Sequence, residues 1–326
     1  MSHLTFLEAA VVGLVQGVSE MFPVSSLGHN VLIPALVGGS WARDLNVSAP
    51  ESPYLAFIVG LHVATAIALL IYFRHDWVRI IGAFFTSIRN REIYTADQKL
   101  AWMIVLATIP VGIAGLAFEH AFRVIFGQAK YAAAFLILNG LILIAGERFR
   151  RRSSLAADVA SAREREHAEL VAAGRHSSSG ARADRQREQA AVEVSDRRLA
   201  TLPFVPAVFV GSAQILALLA GISRDGVTMV AGMARGLSRE DAARFAFLLA
   251  TPVILAAGAL KIPDLFGPLG NGIHGQILLA SILSGVGAYL SVRFLVRYLR
   301  TRTLTPFGVY CLVAGFASLA YLTLVK

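Results

Sequence analysis

The chain has a single cysteine, Cys311, in 326 residues, so neither an intramolecular disulfide nor a cysteine-built metal site can form. Charge is scarce as well. Only 16% of residues are Asp, Glu, Lys or Arg, against 56% hydrophobic, which excludes an ordinary soluble domain and places the chain among integral membrane proteins. No Lys or Arg precedes the first apolar run at Leu4, and no small-residue cleavage site follows it; a retained segment is expected rather than a removable signal peptide. A G-x-x-x-x-G-K phosphate loop and an H-E-x-x-H zinc motif are both missing, which removes two common routes to phosphate and metal chemistry. Acidic residues number 21 against 30 Lys and Arg, for a formal charge of +9. Most of that excess lies in loops beside apolar runs, the pattern that sets membrane orientation, and no nucleic-acid partner is needed to explain it.

Against this background one stretch stands out, G-L-V-Q-G-V-S-E-M-F-P-V-S-S-L-G-H-N at 13–30. It begins as an apolar helix and then places Gln16, Glu20, Ser25, Ser26 and His29 in surroundings that are otherwise greasy. A carboxylate inside a membrane region needs a partner or a polar cavity, so Glu20 marks a candidate site. A second stretch, G-S-A-Q-I-L-A-L-L-A-G-I-S-R-D-G at 211–226, repeats the first. A shift of 198 residues lays Gln16 on Gln214, Ser25 on Ser223, Ser26 on Arg224 and Gly28 on Gly226. Each copy opens a run of three long apolar segments, the sequence form of a duplicated membrane fold.

Taken in order, residues 4–37 read as a re-entrant hairpin or broken helix pair, interrupted by Pro23, Gly28 and Pro34. Spans follow at 54–73, 101–118 and 131–145, with Arg74, Arg79, Arg89, Arg91 and Lys99 marking a cytoplasmic loop after the first. Residues 147–198 hold twelve Arg and nine acidic residues with almost no large apolar ones. That composition cannot bury enough surface to fold alone, and a solvated linker over 147–200 is expected, with V-A-S-A-R-E-R-E-H-A-E-L as a transient helix. The second half repeats the pattern, with a hairpin at 202–233 and spans at 245–260, 276–292 and 305–325. Basic residues after the second hairpin place its entry on the cytoplasmic face, whereas the first enters from outside. The expected fold is all-α, with six transmembrane helices and two re-entrant hairpins in an inverted-topology repeat: residues 1–146, the linker, and 201–326.

Inverted repeats bring the two hairpin tips together near the membrane midplane. One tip offers Glu20, Ser25, Ser26 and His29; the other offers Ser223, Arg224 and Asp225. A carboxylate, hydroxyls, an imidazole and a guanidinium together suit a phosphate group, with arginine as a planar clamp. Backbone N–H groups at the glycines, Gly226 among them, can add donors. His62, in mid-span, is read as a satisfied core histidine or cavity liner, and Gln214 as a packing partner that hydrogen-bonds Gln16 across the pseudo-twofold.

At these residues the chain resembles the undecaprenyl pyrophosphate phosphatase family, the bacitracin-resistance type of lipid phosphatase. The family pattern E-G-x-x-E-F-x-P-V-S-S-T-G-H is matched by Q-G-V-S-E-M-F-P-V-S-S-L-G-H at 16–29, and P-G-x-S-R-S-G by A-G-I-S-R-D-G at 220–226. The segments at 61–74 and 237–252 resemble family segments as well. The resemblance implies a cell-membrane hydrolase that converts undecaprenyl diphosphate to the monophosphate for carrier-lipid recycling in envelope synthesis, with its site open to the outer face. It further implies divalent metal assistance, from magnesium or calcium. Carried over residue by residue, Glu20 would bind metal or act as acid or base, and Ser25 or Ser26 would be the nucleophile. His29 would move the proton, and Arg224, with Ser223 and Gly226, would hold the phosphates.

Four positions depart from the pattern. Gln16 keeps an oxygen ligand but loses a charge, Leu27 replaces a hydroxyl, Ala220 replaces a proline, and Asp225 adds a carboxylate beside the phosphate clamp. Asp225 can therefore replace the missing charge as a metal ligand alongside Glu20 and Gln16, or it can repel a diphosphate. The acid-phosphatase type of lipid phosphatase is excluded, because no arginine-proline dipeptide occurs and Val230 stands where its histidine would be. Two function classes remain, a phosphatase and a polyprenyl-phosphate transporter of the same architecture. A homodimer is one use for the many Ala and Gly surfaces; packing within one chain is another.

Overall fold

The computed structural model describes residues 4–45, 53–172, 195–265 and 272–325. All regular structure among them is helical. Helix α1 (Phe6–Met21) starts at a capping box, in which the Thr5 hydroxyl accepts the Glu8 N–H at 3.2 Å and the Glu8 carboxylate accepts the Thr5 N–H at 2.8 Å. After a tight turn come α2 (Ser26–Val37) and the short α3 (Gly39–Asp44), then α4 (Pro53–Tyr72), α5 (Arg74–Asn90), α6 (Ala96–Phe126) and α7 (Ala129–Ala172). The second half runs through α8 (Phe204–Ser212), a 3-10 turn (Ala213–Leu218), α9 (Arg224–Ala234), α10 (Arg239–Leu265), α11 (His274–Thr301) and α12 (Thr305–Leu324).

Five helices are long and apolar enough to cross a membrane: Ala96–Phe118, Ala129–Arg151, Arg239–Leu260, His274–Thr301 and Thr305–Leu324. Gly60–Tyr72 of α4 is a shorter apolar stretch, at the place of the first expected span. The stretches 4–37 and 202–233 each run as helix, break, helix. The chain is a multi-pass membrane protein.

Small residues set how closely the helices approach. A methyl group on Gly13 would sit 2.5 Å from the Ala280 carbonyl oxygen, and one on Gly17 would sit 2.2 Å from that of Ser284, so α1 lies directly on the backbone of α11. At the position 198 residues after Gly13, a methyl on Gly211 would lie 2.2 Å from the Ala107 carbonyl oxygen, which puts α8 against α6. The first helix of each hairpin thus packs on the middle span of the opposite half. Gly140 meets Gly308, and Gly315 meets Ala133, between α7 and α12. At these positions the glycines serve packing within one chain.

Two segments differ from the sequence reading. The basic stretch after α4, expected to be a loop, holds the 17-residue helix α5, whose Asp76, Ile80 and Ser87 are buried while Val78, Ile81, Phe85 and Ile88 face outward. Apolar residues at steps of three and four on one side, with arginines around them, make it amphipathic. The linker expectation over 147–200 also meets structure at both ends: α7 runs through to Ala172, whereas Ser195 and Asp196 are buried. Residues 173–194 of that expected linker lie outside the described residues. The Ser195 hydroxyl donates to Asp241 at 2.6 Å, and Arg198 donates to the same carboxylate at 2.8 and 3.1 Å. Asp196 pairs with Arg79 and Arg244, and Arg244 reaches Asp76 at 2.8 Å. Composition alone could not reveal this docking, because a charged residue reads as solvated until its partners, far away in sequence, are known.

Candidate active site

Helix α1 stops where Pro23 denies a backbone donor and pushes Phe22 into an extended conformation. Ser25 then adopts φ +68°, a left-handed conformation that costs a non-glycine residue of order 1–3 kcal/mol and survives only if its surroundings enforce it. They do so with three bonds. The Ser25 hydroxyl oxygen accepts the Gly28 N–H at 3.2 Å and the Gly221 N–H at 3.1 Å, while the Ser25 carbonyl accepts the His29 Nδ1–H at 2.7 Å. A carbonyl can only accept, so the neutral His29 ring carries its proton on Nδ1. Its Nε2 is left as the acceptor for the Tyr310 hydroxyl, 2.7 Å away.

The second turn meets the first backbone to backbone. Gly221 has φ +114°, and a methyl there would lie 2.4 Å from the Ala132 carbonyl oxygen; a methyl on Gly28 would lie 2.8 Å from the Gly221 Cα. Ser223 caps α9 by accepting the Gly226 N–H at 3.1 Å, the same bond that Ser25 makes with Gly28 at the offset of 198. Asn139 of α7, fully buried, joins the turns: its amide donates to the Pro23 carbonyl at 2.9 Å and its oxygen accepts the Ser223 N–H at 3.0 Å.

Glu20 lies at the centre of the polar cluster. One carboxylate oxygen pairs with Arg224. The other accepts the Ser26 hydroxyl and the Gln16 amide, the latter at 3.0 Å, and lies 3.3 Å from His62 Nε2. Gln16 and Glu20 share a face of α1 through their four-residue spacing, and the Gln16 oxygen in turn accepts from Asn30 at 2.7 Å. Asp225 is 1% exposed, with one oxygen 3.7 Å from Arg224 Nε, and neither carboxylate oxygen has a hydrogen-bond partner. A buried carboxylate without a hydrogen bond is unusual. Among the described residues no three His, Cys, Asp or Glu side chains converge as a metal cage.

The structure therefore brings Gln16, Glu20, Ser26 and Arg224 together, with one Asp225 oxygen 3.7 Å from Arg224 Nε. His29 makes no hydrogen bond to a serine hydroxyl; its two nitrogens are taken by the Ser25 carbonyl and Tyr310. Gln214 does not reach Gln16 but donates to the Gly211 carbonyl at 3.3 Å, because the hairpins touch at their turns and not along their first helices. Ser223 and the Gly226 N–H are bonded to each other. Sequence reasoning did not assign His62, Asn30, Asn139 and Tyr310 to the site. The signal for His62 was its position in the middle of an apolar helix; the other three gave none without their partners.

A family model described as "Bacitracin resistance protein BacA" matches residues 9–317. A protein of Mycolicibacterium paratuberculosis called undecaprenyl-diphosphatase is 60% identical, over 99% of both chains. One of Frankia alni called undecaprenyl-diphosphatase 2 is 55% identical over 97% of both, and one of Burkholderia lata with the same name is 40% identical over 96% of this chain and 95% of its own.

Proposed function

The chain belongs to the bacitracin resistance protein BacA family, and from that premise we infer that it is an undecaprenyl-diphosphatase, a membrane hydrolase acting on a polyprenyl diphosphate. The observation that carries this reading is the Ser26 hydroxyl held on Glu20, with Arg224 on the same carboxylate. A hydroxyl attacks phosphorus poorly until a base takes its proton, and here the base in contact is Glu20 rather than His29. Arg224 is the only guanidinium that touches this cluster among the described residues. A diphosphate competes with Glu20 for it, and transfer of Arg224 to the phosphate oxygens both holds the substrate and frees Glu20 to accept a proton. Ser26 Oγ then bonds to the terminal phosphorus, the bond from that phosphorus to the bridging oxygen breaks, and undecaprenyl phosphate leaves. Water subsequently hydrolyses the phosphoserine and returns the proton to Ser26. Ser25 is better suited to shaping the turn, since its oxygen already accepts two backbone N–H groups.

The oxygens of Asp225, buried and without a hydrogen bond although one lies 3.7 Å from Arg224 Nε, would suit a hard cation such as magnesium or calcium, with Glu20 and Gln16 as further oxygen donors. Bound there, the ion would neutralise charge on the phosphoryl oxygens. The basic residues of α5 and those at the end of α11 support a cytoplasmic position for those ends, a six-span inverted repeat, and a site reached from the outer face.

The test is phosphate release from undecaprenyl diphosphate by the purified protein, with and without magnesium or calcium, beside Ser26→Ala and Arg224→Ala. Metal-dependent release lost in both variants is expected. Full activity in Ser26→Ala would remove the nucleophile assignment.

A further inference from the structure

On α1 two faces do different things. Gln16 and Glu20 turn toward the polar cluster, whereas Leu14 and Val18, also four apart, together with Phe22 just past the helix end, line a groove of about 610 Å³ between α1, α2 and α12. Ile33 and Phe307 complete its apolar wall, and Leu14 at its edge is 52% exposed on the apolar outside of the bundle. The volume is that of a small-molecule site. Three groups in its lining break the apolar character: the Ser19 hydroxyl, which is spent on the Val15 carbonyl of its own helix, the ring of His29 and the hydroxyl of Tyr310. The rings of His29 and Tyr310 are stacked at 5.7 Å and 8°, and the Tyr310 hydroxyl bonds to His29 Nε2.

These two residues belong to a chain of bonds that leaves the groove and ends at the hydroxyl held on Glu20. Tyr310 holds His29, His29 Nδ1 holds the Ser25 carbonyl, Ser25 is kept at φ +68°, and the next residue is Ser26. A left-handed serine has little conformational tolerance, so a shift of its carbonyl moves Ser26 relative to Glu20. Tyr310, on the last helix, is the only member of this chain that is substantially exposed, at 47%.

We propose that Tyr310 is a positioning and specificity-determining residue: the polyprenyl chain occupies the groove between α1, α2 and α12, and through Tyr310 and His29 that occupancy sets the Ser25–Ser26 turn for attack. The proposal rests on the phosphatase reading and deepens it. Occupancy of the groove packs an apolar chain against the exposed face of the Tyr310 ring and excludes water from its hydroxyl. The bond to His29 becomes the only one open to that hydroxyl, and the turn is held most firmly when the long lipid is bound. Contact energy remote from phosphorus is thereby used in the transition state, which raises kcat rather than merely lowering KM.

The experiment compares undecaprenyl diphosphate with a short, water-soluble prenyl diphosphate, measuring kcat and KM for the unaltered protein and for Tyr310→Phe in detergent. Removing one hydroxyl from a half-exposed ring leaves the packing intact, and thermal unfolding confirms the fold. The expected result is a loss of roughly five- to tenfold in kcat for the long substrate, the scale of one neutral hydrogen bond, with the long-to-short ratio falling toward one. Equal losses on both substrates would make Tyr310 a structural contact only and overturn the proposal, as would an unchanged ratio. Absence of phosphate release by the unaltered protein would instead defeat the phosphatase reading, so the two failures are distinguishable.

Discussion

At the scale of single residues, Glu20 carries more partners than any other group in the site, and each partner asks something different of it. Arg224 holds one oxygen; Ser26 donates to the other and, in the proposed mechanism, uses it as a base; Gln16 and His62 fix that second oxygen. Glu20→Gln keeps the shape but loses the charge, so proton transfer from Ser26 and the counter-charge to Arg224 fail together. We expect kcat to fall roughly hundredfold or more, the usual loss when a positioned base is removed, measured as phosphate release from undecaprenyl diphosphate. Asp225→Ser separates the cation from the base. If Asp225 holds the ion, the half-saturating magnesium concentration rises at least several-fold while activity at saturating magnesium survives. An unchanged metal titration would take Asp225 out of the cation site.

At the scale of elements, the turns and the glycine contacts decide where those residues stand. Gly17→Ala drives a methyl to 2.2 Å from the Ser284 carbonyl oxygen, a backbone atom that cannot swing aside. A destabilisation of about 1–3 kcal/mol is expected, the range for overpacking, read as a lower unfolding temperature in detergent. Gly112→Ala in α6 is the control, since a methyl there meets nothing within 4 Å, and it should lose no stability.

The helices and the paired motifs were legible in the sequence because apolar runs of membrane length, and Pro23 with the glycines around it, leave local marks. The offset of 198 was legible too, and it reappears as two identical serine caps. The partner of the Ser26 hydroxyl was not legible. His29 is three residues from Ser26 in sequence, yet the left-handed Ser25 turns the helix so that His29 faces Tyr310 and Ser26 faces Glu20. Nothing in a string of letters indicates φ +68° at a serine. Asn139 and Tyr310 were invisible for a different reason: each is an ordinary residue of an apolar helix until a turn from elsewhere packs against it.

At the scale of the whole molecule, the end of the chain between the halves is fastened to the core. Asp196 is 1% exposed and lies between Arg79 and Arg244. Burial works against the charge of Arg79, but its bond to Asp196 and the fields of Asp196, Asp97 and Asp76 outweigh that and raise its pKa above the ordinary arginine value. Asp196→Ala leaves Arg244 buried with Asp76 as its only acidic partner among the described residues. Removing one member of a buried ionic cluster typically costs roughly 3–5 kcal/mol, and a large fall in unfolding temperature is expected, with kcat at low temperature little changed because the cluster does not touch Glu20 or Ser26.

The exchange of first helices between the halves, α1 onto α11 and α8 onto α6, has a consequence for how the polypeptide can be made. Each half needs a surface that only the other supplies, so packing holds the halves together as well as the chain that joins them. Two separately translated fragments, ending at Ala172 and starting at Ser195, should find each other in the membrane, co-purify as one particle and restore turnover, whereas either fragment alone should be degraded.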